Sequence, residues 1–395
     1  MSGLPLSGVR VIDLTRILSG PFCSMILGDL GADVIKIESR AGDHVRGQGE
    51  KVDGFSWYFA SFNRNKRSVV LDLRLPEGMA VLERLLQDAD ILTENFRPGV
   101  LAEMGLTPDR LAAINPGLIV ASVNGYGSTG PYADRPAFDF IAQAMSGYMI
   151  TNGTPDTGPL RTGPPLTDLI AGLYAALGAV AALCGRERGG PAQRVEASMM
   201  MSMMSMMAYL SANALVTGRD PVPAGNDHPI ASPYGLFRAQ DGDIAVAPST
   251  LPIVKRFLAE IGLADLLSDP RFADNAARVA NRGALNALID GALARDTQDN
   301  WITRLNRAGV PCGRVQSLTE ALADPQVAHQ EMVMEVPHPG HGTVKMTGFP
   351  IKFSETPLRV RHPAPDLGAQ TDAVMAEAGY DAARIAALRG AGVIG

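Results

Sequence analysis

Two places in this sequence bring together residue types that could do chemistry. Thr167-Asp168 stands directly before an apolar stretch at 169–184, so the carboxylate meets the unpaired N–H groups and positive dipole end of a helix start. Such an aspartate is either a plain cap or a carboxylate offered to a ligand, and a positioned carboxylate is one of the recognised nucleophiles for covalent catalysis. The second place is Asn63-Arg64-Asn65-Lys66-Arg67, three cations within four positions. It reads as a solvated turn or as a site for a phosphate-bearing ligand.

Other motifs fail on context. Gly125-Tyr126-Gly127-Ser128-Thr129-Gly130 matches GxGxxG after a strand, but Pro131 and Pro136 follow. No helix can start where a dinucleotide fingerprint needs one, so a tight glycine turn is expected. GxxxxGK(S/T) and GxSxG are absent, which removes the usual support for P-loop phosphoryl transfer and for nucleophile-elbow hydrolases. Of the histidines only His338 and His341 are close, in a Pro-Gly turn, and no zinc or other metal site is expected. Cys23, Cys184 and Cys312 form no CxxC pair, which fits a reducing cytoplasm. The methionine-rich run at 199–207 reads as core or subunit-interface filler, since no His or Cys accompanies it.

Elements must position these residues. Apolar runs at 9–14, 32–38, 68–73, 91–96 and 118–124 alternate with helical patterns beginning near Ser19, at Pro76 and near Val100. That alternation predicts a parallel sheet covered on both faces, with right-handed crossovers. Residues 127–165, dense in Gly, Pro, Ser, Thr and Asp, predict loops over a cleft. The stretch 169–184 is shorter than the ~20 residues needed to cross a bilayer and predicts a buried helix. A linker is expected at 221–233, then a hairpin around Asp241-Gly242-Asp243 and helices near 254–261, 278–293 and 300–308. Residues 335–395 read as extended and Pro/Gly-rich, ending in a short helix near 381–388. The domains expected are 1–220, the first part of a large domain; 221–330, a small domain; and 331–395, a return to the large one.

With 395 residues, 46% hydrophobic and 19% charged, the chain can bury a sizeable core. Its net charge of −6 gives no general attraction to nucleic acid or to an anionic membrane. Small anionic ligands remain open.

Order and spacing of several segments resemble the family III CoA-transferases, the CaiB/BaiF family. They are Leu6-Ser7-Gly8-Val9-Arg10-Val11-Ile12-Asp13-Leu14, Gly20-Pro21, Asp29-Leu30-Gly31-Ala32-Asp33-Val34-Ile35-Lys36-Ile37-Glu38, Asn65-Lys66-Arg67-Ser68, Glu94-Asn95-Phe96-Arg97-Pro98-Gly99, Gly125-Tyr126-Gly127, Thr167-Asp168-Leu169, Gly225 to Tyr234 and Gly309-Val310-Pro311. The resemblance implies an α/β fold: a Rossmann-like parallel-sheet large domain built from both chain ends, a smaller α+β domain, and an interlocked homodimer. It implies that Asp168 attacks an acyl-CoA to give a mixed anhydride and CoA thiolate, and that the thiolate then forms an aspartyl-CoA thioester. The acceptor acid reverses those steps. No permanently bound cofactor is implied; a coenzyme A thioester is the substrate, and the partners are an acyl-CoA, a small carboxylic acid and a second copy of the chain.

Asp139 matches a second active-site carboxylate position. Ile17, Leu18, Ser19, Leu71, Asp72, Leu73, Arg74, Asn95, Phe96 and Arg97 fall on the CoA-contact stretches. Ser39 stands where a relative has a CoA-binding arginine, with Arg40 as substitute, and Glu103 and Pro136 stand where some relatives are basic. Backbone donors near the start of the 169–184 helix and in the Gly225-Asn226 loop are candidate oxyanion stabilisers. Arg46, Asn226 and His228 are expected at the substrate, holding the second carboxylate of a small dicarboxylate. Trp57-Tyr58-Phe59 is similar to members that use succinyl-CoA with malate, citramalate, mesaconate or hydroxymethylglutarate, and transfer within one mesaconyl-CoA is the alternative. The α-methylacyl-CoA racemases of the same fold carry His before the second carboxylate, where this chain has Phe138.

Overall fold

The computed structural model describes residues 3–395, and they fall into two compact units. The first runs up to Tyr148 and adds Thr162–Ser211 and Pro325–Gly395; the second comprises Met149–Arg161 and Ala212–Asp324.

The first unit is built on a six-stranded sheet of β1 (Arg10–Asp13), β2 (Asp33–Glu38), β3 (Lys66–Val70), β4 (Ile91–Glu94), β5 (Ile119–Asn124) and β6 (Arg194–Ser198). Every pairing is parallel and the strand order is β3-β2-β1-β4-β5-β6. The helices that concern the site are α1 (Ser19–Asp29), α2 (Trp57–Asn63), α3 (Pro76–Gln87), α4 (Asp139–Met145), α5 (Leu166–Glu187) and α6 (Met199–Met206).

Alternation along β1 sends successive side chains to opposite faces. Ile12 joins a cluster with Leu82, Leu85 and Leu86 of α3 and with Val374, Met375 and Leu388 near the C-terminus. Val11 joins the opposite cluster, with Leu27 of α1 and Ala171, Ala175 and Ala179 of α5. The small residues on α5 let it lie close: a side chain at Gly172 would meet the Ser19 carbonyl and the Phe22 ring of α1.

Several expectations needed correction. β3 starts at Lys66, two residues earlier than read, because the Lys66 side chain is fully buried. β6 was missed because its Arg194-Val195-Glu196 half is largely solvent-facing and has no apolar run. Short α4 lies inside the region read as loops, and the C-terminal stretch holds a hairpin, Val333–His338 with Gly342–Thr347, and a helix, Thr371–Glu377. α5 is 22 residues, longer than its apolar centre. By length and composition it could cross a membrane, yet it packs against α1, β5, β6 and α6 as a core helix does.

The second unit holds an antiparallel three-stranded sheet of β7 (Gly235–Arg238), β8 (Asp243–Val246) and β9 (Cys312–Arg314), in the order β9-β8-β7. The hairpin expected around Asp241 is β7-β8. Helices Leu251–Glu260, Arg282–Leu293 and Gln298–Arg307 cover it over a core of Phe237, Ile244, Phe257, Leu258 and Trp301.

Candidate active site

The strand order reverses between β1 and β4, and the crevice at the carboxyl ends of such strands is where open α/β sheets place ligands. The segments leaving these two strands are tied together: Asn95 Oδ1 accepts from Arg16 N at 2.8 Å and Asn95 Nδ2 donates to Arg16 O at 2.7 Å. Beneath them lies a chain of buried charges. Asp13 accepts from Thr15 N (2.9 Å), Ser24 Oγ (2.7 Å), Thr93 Oγ1 (3.1 Å) and Lys66 Nζ (3.2 Å). Burial alone would raise the Asp13 carboxyl, but Lys66, Lys36 and the two hydroxyls of Thr15 and Ser24 hold it down to about 2. Lys36 Nζ donates to Thr15 O at 2.7 Å and pairs with Asp43 at 3.1 Å. Asp43 in turn accepts from Ile17 N at 3.1 and 3.2 Å.

That last contact has a purpose visible in the backbone. Ile17 has φ of 70°, a left-handed conformation that a β-branched residue adopts only under constraint. Such strain costs about 1–3 kcal/mol and persists where the surroundings over-determine it. Here fully buried Asp43 and Lys36 hold the chain in the bend that presents Ile17, Leu18 and Ser19 to the crevice.

Asp168 occupies the first turn of α5. It lines a cavity of about 120 Å³ together with Ile17, Leu18, Ser19, Asn95, Phe96 and Arg97. The helix start favours its negative charge, but burial and the neighbouring charge of Asp139 push its carboxyl up to about 7, against a hydrogen bond from the Ser19 side chain. Asp139, the first residue of α4, accepts from Thr167 N at 3.0 Å and from Thr167 Oγ1 at 2.8 Å, thereby capping α5 in place of the Pro165 side chain. Fully buried Gln143 donates to Asp139 at 2.8 Å and accepts from Thr162 N at 3.1 Å, which fixes the carboxylate.

Two carboxylates held this close push at least one toward higher pKa. Replacing Asp139 by Asn should therefore move the acidic limb of the kcat/KM profile to lower pH by about one unit or less. A pH–rate profile checks this, and an unmoved or raised limb would contradict the electrostatic role.

Two residues in this neighbourhood were not singled out as site residues from sequence. Tyr58 on α2 has its phenol raised by burial and then by the charges of Asp168, Asp43 and Asp139. Gln143 was hidden in a region read as loop. An Asp and a Gln four positions apart on one helix face was the available signal for the latter.

The expected CoA-contact residues divide: Ile17, Leu18, Ser19, Asn95 and Arg97 line the Asp168 cavity, Leu71, Asp72, Leu73 and Arg74 line a neighbouring recess of about 310 Å³ in the same unit together with Thr15, Arg16 and Ser39, Phe96 borders both, and Arg40 lines neither. Arg40 donates to the Ile394 carbonyl at 3.2 Å, and Arg74 pairs with Asp72 at 2.6 Å.

Arg46 is engaged elsewhere: it grips Glu38 through two hydrogen bonds (2.8 and 2.6 Å), donates to Pro365 O at 3.0 Å and stacks over Phe59. Three of its five N–H groups are thus committed within the protein. Asn226 and His228 lie in the second unit, where the Gly225 N–H is given to Gly153 O (2.7 Å) and the His228 ring stacks on Tyr234.

The cation cluster at 63–67 is neither a solvated turn nor a phosphate site. Arg64 pairs with buried Asp29 at 2.7 Å, Lys66 with Asp13, and Arg67 with Asp33 and Glu377, each at 2.7 Å. The glycine motif at 125–130 is a turn, as expected: Gly127 and Gly130 have φ of 108° and 94°, and Gly127 N donates to Asn124 Oδ1 at 2.6 Å.

A parallel sheet with a half-buried carboxylate at its switch point is a site of the α/β enzyme class, and comparison with known proteins supplies the reaction. Residues 6–371 match the family described as CoA-transferase family III, and the chain belongs to that family. It is a CoA-transferase. The succinate–glutarate CoA-transferase of Agrobacterium fabrum is 36% identical over 94% of this chain and 95% of that protein. The acetyl-CoA:oxalate CoA-transferase of Acetobacter aceti is 40% identical over 89% of each. A crystal structure of a CAIB/BAIF family protein from Brucella suis aligns with a TM-score of 0.85 at 37% identity, covering 95% of this chain and 100% of that one.

Proposed function

We propose that this enzyme moves CoA from a dicarboxylyl-CoA such as succinyl-CoA to a small dicarboxylic acid, through a thioester on Asp168. The observation that carries the reading is a carboxylate at the switch-point crevice whose pKa is raised to about 7. Near neutral pH a large fraction is ionised, and a carboxylate of raised pKa is a stronger nucleophile than an ordinary one.

In the first step an Asp168 oxygen attacks the thioester carbonyl carbon, the C–S bond breaks, and CoA leaves as thiolate with a mixed anhydride left behind. The thiolate then attacks the Asp168 carbonyl carbon, releasing the donor acid and forming the aspartyl-CoA thioester. The acceptor carboxylate attacks that thioester, and the same two steps run backward on the new acid. The recess beside Thr15, Leu71–Arg74 and Phe96 suits the nucleotide end of CoA, with its pantetheine arm passing Ile17, Leu18 and Ser19. Glutarate and oxalate in the names of the relatives support small dicarboxylates as acceptors.

Asp139 serves as the positioning carboxylate described above. Phe138, two-thirds exposed and without a titratable group, stands where a racemase needs its histidine, so proton exchange is disfavoured. We also propose a homodimer in the cytoplasm: Leu173 and Leu177 on α5 and Met201 and Met204 on α6 are exposed apolar side chains that a second copy would cover.

The test is incubation with succinyl-CoA and a panel of dicarboxylic acids in deuterated water, with all CoA esters read by mass. A new thioester without deuterium at the α-carbon is expected. Deuterium incorporation without a new ester would instead establish the racemase.

A further inference from the structure

With Arg46 committed to Glu38, the group that reads the far end of a dicarboxylic acid must be sought on the wall of the Asp168 cavity itself. Two cations reach that wall, Arg97 and Arg135. Arg97 also borders a separate recess beside Glu94 and Arg194. Arg135 faces only the Asp168 cavity among the recesses of this unit described above, and among the described residues it stands in no ion pair.

Its position is nevertheless set. Arg135 N donates to Tyr132 O at 3.0 Å, and the guanidinium lies 3.8 Å from the centre of the Tyr132 ring, which itself packs edge-on against Tyr126. The following Pro136 biases the Arg135 backbone toward an extended form. A guanidinium laid flat on an aromatic face keeps its N–H edge free, and that edge matches a carboxylate in two parallel hydrogen bonds.

We propose that Arg135 is the specificity-determining residue that binds the distal carboxylate of the acceptor acid, and of the acyl group in a dicarboxylyl-CoA donor. This rests on the reading of Asp168 as nucleophile and of small dicarboxylic acids as substrates. Burial and then the charge of Asp139 raise the Asp168 carboxyl, and Arg135 lines the same cavity. A cation against Asp168 would pull its pKa down and blunt it, whereas one across the cavity holds the far carboxylate and turns the near one toward the aspartyl-CoA thioester. An acid with only one carboxylate gives Arg135 nothing to hold.

The experiment compares wild type, Arg135→Gln and Arg135→Lys with glutarate and with glutaramic acid, its half-amide of equal length, as acceptors, alongside direct binding of free CoA. Arg135→Gln is expected to raise the KM for glutarate by about tenfold or more, to leave that for glutaramic acid and the Kd of CoA unchanged, and so to erase the preference between the two acids. Arg135→Lys is expected to restore part of it. Weakened CoA binding with the acid preference intact would place Arg135 on the CoA phosphates and overturn the proposal, as would an unchanged preference with unchanged CoA binding. If wild type forms glutaryl-CoA but the preference ignores residue 135, only this assignment falls. If wild type transfers CoA to no dicarboxylic acid, the functional reading falls with it. Arg135 is exposed and, among the described residues, in no ion pair, so unchanged CoA binding also verifies that the variant is folded.

Discussion

Asp168→Asn is expected to lose CoA transfer by a factor on the order of a thousand or more and, at the same time, to become more stable than wild type above neutral pH. The loss follows from removing the attacking oxygen. Asn keeps an oxygen able to accept from Ser19, so the local hydrogen bond survives while the nucleophile does not.

The gain in stability follows from the raised pKa. The Asp168 carboxyl is pushed up to about 7 in the folded chain against an ordinary aspartate value of 3.8. Between those values the folded state holds a proton that the unfolded state has released. Wild-type stability therefore falls as pH rises from about 4 to about 7, and stays lower beyond. A shift of this size corresponds to at most about 4 kcal/mol. Asp168 keeps some solvent contact, which reduces the expected difference to about 1–3 kcal/mol at pH 8. Urea unfolding of both proteins at pH 4 and pH 8 tests this. Equal stability at pH 8, or a difference independent of pH, would mean that the site does not hold its carboxylate at an energetic cost.

The second large effect is expected at a residue that touches no substrate. Lys36→Met should cost about 3–5 kcal/mol, because it leaves Asp43 buried without its cation and takes the donor from the Thr15 carbonyl. With Asp43 no longer held, the left-handed turn at Ile17 loses its anchor, so the KM for acyl-CoA should rise as well. The double variant Lys36→Met/Asp43→Asn should be more stable than the single one, since the orphan charge is then gone. Denaturant unfolding of wild type, Lys36→Met, Asp43→Asn and the double variant decides the matter. A double variant that loses as much as both single changes summed would show that the two side chains do not act as a pair.

Why the site is only half legible in the chain can be seen from the cations. Arg64, Lys66 and Arg67 lie close in sequence, and that closeness suggested a solvated turn or a phosphate cradle. In the fold the chain enters β3 at Lys66, so successive side chains turn to opposite sides, and each finds a carboxylate 34 to 53 positions earlier: Asp29, Asp13 and Asp33. The same holds for Arg46. No local pattern signals that Glu38, eight positions back, takes its Nε and Nη2.

The sequence by itself determined what depends on local period and local chemistry. Short branched runs alternating with capped helices specify a parallel sheet, and a Thr-Asp pair before an apolar stretch specifies a carboxylate in the first turn of α5. Ordered segments shared with a family specify the reaction class. The tertiary structure alone decided what depends on charges meeting across the sheet. It set Asp139 and Ser19 against Asp168 and so fixed its pKa, it bent Ile17 over Asp43, and it left Arg135 unpaired on the cavity wall. Electrostatic energies depend on distance in space and on exclusion of water, and neither quantity is written in the order of the residues.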